Sequence, residues 1–252
     1  MMFSLIFFAS EKSNIQIEFK NMESLNDLEK FFFERDHKLI HKWRHYFEVY
    51  DRHFSRMRHK KINVLEIGAA HGGSIEMWND YFHGNATIYS VDINPECRKF
   101  ENDYTKVFIG SQEDKTFLKK LHATLPALDI LIDDGGHTMN QQITTFEMLF
   151  DKVKEDGIYL CEDLHTSYFK YFGGGYKKKR SFIEYSKNFI DKIHAWHTKK
   201  IPVDDFTKSV HSIHYYDSII VIEKRPMSAP FDVKSGSPSI EDNLALEAII
   251  KK

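Results

Sequence analysis

Five short apolar runs, Ile62–Ile67, Thr87–Asp92, Val107–Ile109, Leu128–Ile132 and Ile158–Cys161, alternate with stretches of helical spacing. Few folds accommodate such an alternation. Each run has the length of a buried strand, and parallel neighbours can be joined only by a crossover, which a helix supplies. The expectation is an α/β fold, a doubly wound and mainly parallel sheet. Helices are expected over residues 74–82, 114–122 and 138–154, the last opened by a capping box from Thr138 to Gln141. Ser181 and Glu184 open another, with Phe182, Tyr185, Phe189, Ile193 and Trp196 inward. Upstream, Leu39, Trp43, Tyr46, Phe47, Tyr50, Phe54 and Met57 predict an amphipathic helix, with Arg44, His45, Arg52 and His53 on its outer face. Val210–Tyr216 and Ile219–Glu223 flank Asp217-Ser218 as an antiparallel hairpin, which brings the expected sheet to seven strands. The domain reading is an N-terminal extension over 1–58, the α/β domain over 59–226 and a polar tail over 227–252, closed by an amphipathic stretch, Ile240–Ile250.

Composition narrows the function classes. With 35 Lys+Arg against 37 Asp+Glu, the net charge of -2 offers no general attraction to polyanions, so nucleic acid is not an expected partner. Cys97 and Cys161 are too few for a disulfide framework and fit a reducing, cytoplasmic setting. Met1–Ala9 is apolar, but no basic residue precedes it and it is too short to span a membrane; Met22 is an alternative start.

Two segments carry the chemistry. In VLEIGAAHGGS, Val64 to Ser74, a strand enters a glycine turn that opens a helix. Gly68 and Gly72 are spaced differently from the G-x-G-x-x-G of dinucleotide binders. Glu66, two residues before Gly68, suits a cationic amino-acid group better than a phosphate. Asp92, 26 residues after Glu66 and ending the second strand, is placed to accept ribose hydroxyls. Together these read as an S-adenosylmethionine site. In ILIDDGGHTMNQQ, Asp133 and Asp134 end a strand and His137 follows; in YLCEDLHTSY, Glu162 and Asp163 end the next. Several carboxylates at adjacent strand ends repel unless a cation is shared, and oxygen donors select a hard divalent ion, Mg²⁺ first, with Mn²⁺ or Fe²⁺ also accommodated. A nearby imidazole such as His137 is suited to remove a proton from a hydroxyl held there. Asp133 reads as a ligand, a cap or a supporting partner.

These segments, with KWRHYFEVYDRHF, the glycines Gly173–Gly175 and SIHYYDSIIVIEK, resemble the metal-dependent sugar O-methyltransferases that include the mycinamicin and macrocin enzymes, relatives of which are also labelled cephalosporin hydroxylase-like. The resemblance runs from about Lys42 to Lys224. It implies a Rossmann-like class I methyltransferase fold, Asp134, Glu162 and Asp163 as metal ligands and His137 as general base. Glu66, Gly68, Gly72, Asp92 and Asp133 fall to the cofactor side. The family often has G-D-Q-x-D after the third strand. Here it is Gly110-Ser111-Gln112-Glu113-Asp114, which leaves Gln112 and Asp114 as candidates near the adenine and removes the first acid. The implied acceptor is a saccharide, either a nucleotide-activated sugar of surface-polysaccharide synthesis or a glycosylated natural product, and the implied assembly is a homo-oligomer, dimer or tetramer. Several members carry a larger N-terminal region; here about 60 residues precede the first sheet strand, so acceptor contacts do not carry over.

Outside the centre, Lys177, Lys178, Lys179 and Arg180 follow the glycines and read as a solvated turn, with phosphate binding as the alternative. The glycines themselves suggest a mobile loop. His165, Tyr168 and Tyr176 are candidates for an acceptor pocket, and His211 and His214 for structural roles. Two other functions compete: an iron-dependent hydroxylase, for which no second histidine has an obvious claim beside His137, and a non-catalytic S-adenosylmethionine-binding protein.

Overall fold

The computed structural model describes residues 25–239. The run Met1–Ala9, the alternative start at Met22 and the stretch Ile240–Ile250 lie outside the described residues. Seven strands, β1 (Ile62–Ile67), β2 (Ala86–Asp92), β3 (Thr105–Ile109), β4 (Leu128–Asp133), β5 (Val153–Cys161), β6 (Val210–Tyr216) and β7 (Ile219–Lys224), form one sheet in the order β3-β2-β1-β4-β5-β7-β6. The first five are parallel, and β7 pairs antiparallel with both β5 and β6. The order reverses between β1 and β4, and ligands of doubly wound sheets bind outside the carboxyl ends of the strands at that switch.

Strand alternation sends side chains to two cores. Ile62, Val64, Ile130, Ile132, Ile158 and Leu160 pack under α1 (Asp27–Glu34), α2 (Tyr46–Phe54) and α3 (Gly73–Tyr81). Leu65, Ile67, Leu131, Tyr159 and Cys161 pack under α4 (Lys115–Thr124), α5 (Met139–Leu149), α6 (Phe182–Ser186) and α7 (Asn188–Ile193). A short helix, α8 (Asp205–Ser209), leads into β6. The period of two also decides the acids: Glu66 and Glu162 face the α2–α3 layer, whereas Asp133 faces the α5 layer. Leu28, Phe31, Tyr46, Phe47, Tyr50 and Phe54 are buried in the same core as the sheet, so residues 25–58 close one of its faces.

Several expected elements have different bounds. The helix expected from Leu39 begins at Tyr46 and ends in a single 3-10 turn, Ser55–Met57. Residues 39–45 have no regular helix, and Leu39 and Trp43 are exposed, so their helical spacing is incidental. His53, expected outside, is buried, because Glu223 and Tyr216 satisfy both ring nitrogens. The helix expected over 138–154 has its capping box at Thr138 and Gln141 but stops at Leu149, and β5 starts at Val153 rather than Ile158. The helix opened by Ser181 breaks at Lys187 into α6 and α7.

Candidate active site

The turns after four parallel strands wall one cleft of about 230 Å³, with Gly68, Asp92, Gly110, Gln112, Asp134 and Gly136 among its lining. Gly68 has φ +103°, and a Cβ there would lie 2.1 Å from the Asp134 carbonyl oxygen, so the β1 and β4 turns touch only because residue 68 lacks a side chain. Asp92 accepts from the backbone N–H groups of Ala70 and Asn94, which fixes its carboxylate at the cleft rim. Gln112 is the buried hub of the opposite wall: Nε2 donates to Asp133 Oδ1 and Thr145 Oγ1, and Oε1 accepts from the Gly136 N–H.

Four residues expected on the cofactor side do not line this cleft. Glu66 is fully buried beneath it; Ser74 and Trp78 of α3 donate to its two oxygens, and burial pushes its carboxyl up to about 7. Gly72 caps α3 in a left-handed conformation at φ +80°, against the Phe100 ring. Asp114 is an exposed N-cap of α4, accepting from Thr116 and Phe117. Asp133 lies behind Gln112 with Oδ2 unpartnered, and burial raises its carboxyl to about 7. Alternation along β4 turns Asp133, its last residue, to the α5 side, where Gln112 and not the cleft receives it.

The remaining acids meet at the ends of β4 and β5. Asp134 Oδ1 lies 3.9 Å and Asp163 Oδ2 3.3 Å from His137 Nε2. One ligand atom from each of these three residues falls within 4.8 Å of the others. Both His137 and Asp163 have left-handed backbones, φ 57° and 55°, a region His and Asp enter more readily than most residues. Glu162 is fully buried beside them, and its carboxyl is pushed well up by burial and then by Asp134. The sequence reading missed the groups that hold these acids. Tyr50 donates to Glu162 Oε1 and Tyr46 to Asp163 Oδ1, each at 2.6 Å, from successive turns of α2. Lys42, from the irregular segment ahead of α2, places Nζ 2.5 Å from Asp134 Oδ2 and 2.8 Å from Glu162 Oε2. Burial opposes its charge, but Asp134 and Glu162 hold its pKa above the ordinary lysine value. The available signal was tyrosine rather than phenylalanine at buried helix positions, since a buried hydroxyl demands a partner.

The acids here fit a hard divalent cation: Asp134, Glu162 and Asp163 offer only carboxylate oxygen, and Asp134 and Glu162 already attract a positive charge, the Lys42 ammonium. His137 Nδ1 is buried without a partner. Beside Asp163 opens an aromatic hollow of about 350 Å³ lined by Trp43, His45, His165, Phe169, Asp217 and Ser218. His165 is thus at a pocket, whereas Tyr168 and Tyr176 do not line it. The glycine segment is pinned, with the N–H groups of Gly174 and Gly175 bonded to Phe169 and Ser167 carbonyls, and Lys177–Arg180 are exposed. Among the described residues, the one grouping of two histidines and a carboxylate is His53, His214 and Glu223, none of which lines the cleft.

The family described as a methyltransferase domain matches residues 65–164. An 8-demethyl-8-(2-methoxy-alpha-L-rhamnosyl)-tetracenomycin-C 3'-O-methyltransferase of Streptomyces olivaceus is 33% identical over 195 residues, 72% of this chain and 50% of that protein. Demethylmacrocin O-methyltransferase of Streptomyces fradiae is 34% identical over 191 residues, 69% of this chain and 47% of that protein. The chain therefore spans about half the length of the curated relatives it matches. Among solved structures, the MycE methyltransferase of the mycinamycin pathway, in complex with Mg and SAH, superposes with a TM-score of 0.68 at 27% identity, covering 81% of this chain and 54% of that one. The fold and the matched domain make this chain a methyltransferase-domain protein, similar to sugar O-methyltransferases over about 70% of its length.

Proposed function

We propose that the protein is an S-adenosylmethionine-dependent O-methyltransferase that acts on a sugar hydroxyl with the help of a divalent cation, most readily Mg²⁺. One observation carries the reading: Asp134, which lines the same cleft as Gly68 and Asp92, also converges with Asp163 and His137. The cofactor supplies an activated methyl carbon, and a cation bound by carboxylates lowers the pKa of a hydroxyl beside it. The rest is the work of this chain. Asp92 would accept the ribose hydroxyls, and the glycine turn lets the backbone approach the cofactor. Asp134 and Asp163, with Glu162 behind them, would hold the cation. His137 would take the hydroxyl proton on Nε2, the ring nitrogen that faces Asp134 and Asp163 at 3.9 and 3.3 Å. Trp43 and Phe169 wall the adjoining hollow, where an apolar sugar face would pack.

The matched relatives include a demethylmacrocin and a rhamnosyl-tetracenomycin-C O-methyltransferase, which favours the sugar of a glycosylated natural product as acceptor. The exposed run Lys177–Arg180 supports a nucleotide-activated sugar of surface-polysaccharide synthesis as the second acceptor class. A mass-spectrometric screen of both classes with S-adenosylmethionine tests the reading. Methyl gain that stops with EDTA and returns with Mg²⁺ is expected. Methyl gain unaffected by chelator would overturn the metal role, and an absence of binding to S-adenosylhomocysteine would overturn the whole assignment.

A further inference from the structure

Lys42 stands where no helix or strand requires it. It lies in the irregular segment ahead of α2, yet its side chain is only 3% exposed and reaches across to the ends of both β4 and β5. Lysine is almost never buried unless paired. Here the pairing is double, with Asp134 Oδ2 at 2.5 Å and Glu162 Oε2 at 2.8 Å, and the Tyr50 ring lies beneath the ammonium. Tyr50 engages the other Glu162 oxygen, so both Glu162 oxygens are committed to donors of this chain. Asp134 is divided: Oδ2 belongs to Lys42 and Oδ1 faces His137.

An ammonium and a divalent cation cannot share the same two oxygens at contact distance, because like charges repel strongly in a buried site. We propose that Lys42 is an internal competitor for the cation centre, a positioning residue that holds Asp134 and Glu162 ready and is displaced from them when a divalent ion binds. The inference rests on the proposed assignment of these carboxylates as cation ligands. Its consequence is a centre with moderated affinity: a doubly charged ion displaces the lysine, and singly charged ions do not.

Two experiments decide it. The first uses the unaltered protein: amine-reactive labelling read by mass spectrometry with and without Mg²⁺. Lys42 is expected to be protected alone and to become reactive with Mg²⁺, while the other lysines keep their reactivity. Unchanged protection at a Mg²⁺ concentration that saturates calorimetric binding overturns the proposal. The second is titration calorimetry with Mg²⁺ on Lys42→Gln and Lys42→Arg. Lys42→Gln is expected to bind at least about tenfold more tightly than the unaltered protein, and Lys42→Arg, which keeps the charge, to stay near it. A merely structural lysine would lower the melting temperature of Lys42→Gln and leave its Mg²⁺ affinity unchanged or weaker, which overturns the inference while the metal site stands. If neither protein binds a divalent ion, the metal assignment and this inference fall together.

Discussion

Tyr50 donates its hydroxyl to Glu162 Oε1 at 2.6 Å, from a helix outside the sheet to a strand end within it. The contact lies wholly out of solvent, so it fixes where a buried carboxylate sits relative to the cleft. Tyr46, one turn earlier, does the same for Asp163. Helix α2 is therefore part of the site although none of its residues lines the cofactor cleft.

Replacing Tyr50 with Phe keeps the ring and removes the donor. The buried Glu162 then lacks one partner, and a loss of about 1–3 kcal/mol of stability is expected. Tyr46→Phe should cost less, because Asp163 is partly exposed and water can replace the hydroxyl. Urea denaturation of the two variants measures the difference, and equal losses would contradict it.

His137→Ala should lower the methyl-transfer rate by about 10²–10⁴-fold, the usual contribution of a positioned base. Its ring does not line the cofactor cleft, so affinity for S-adenosylhomocysteine should hold. Turnover and calorimetry on the same preparation separate these effects.

Glu66 gives a pH signature. Its folded carboxyl is pushed up to about 7, from an ordinary glutamate value of 4.5, because burial disfavours the charge. A raised acid contributes no penalty below the unfolded value and a growing one as pH rises towards the folded value. Glu66→Gln should therefore match the unaltered protein near pH 4 and exceed it by up to about 3 kcal/mol above pH 7. Denaturation midpoints across that range provide the test, and a gap that widens towards acid would reverse the assignment.

Gly68→Ala places a methyl group 2.1 Å from the Asp134 carbonyl in a backbone region that suits glycine alone. The β1 and β4 turns must part, and a loss of about 2–4 kcal/mol is expected together with weakened cofactor binding. Thermal unfolding with and without S-adenosylhomocysteine would show both.

Much of the frame was legible in the sequence. The strand Ile62–Ile67, the capping box at Thr138 and the hairpin around Asp217-Ser218 each depend on residues close in sequence, where apolar period and turn chemistry act directly. The boundaries that shifted, such as Leu39 to Tyr46, are places where spacing alone cannot distinguish a buried apolar face from an exposed one. The grouping of Asp134, His137 and Asp163 was foreseeable because adjacent parallel strands must end at one edge.

The order of elements and the chemistry of each strand end were set by the sequence itself, because β-period, glycine turns and acid pairs are local properties. Tertiary structure alone decided which acids share the cleft and which lie beneath it. Docking of the β3 turn sets Gln112 against Asp133, and only the packing of α2 and the segment before it brings Tyr46 to Asp163, and Tyr50 and Lys42 to Glu162, partners 112 to 120 residues apart in sequence.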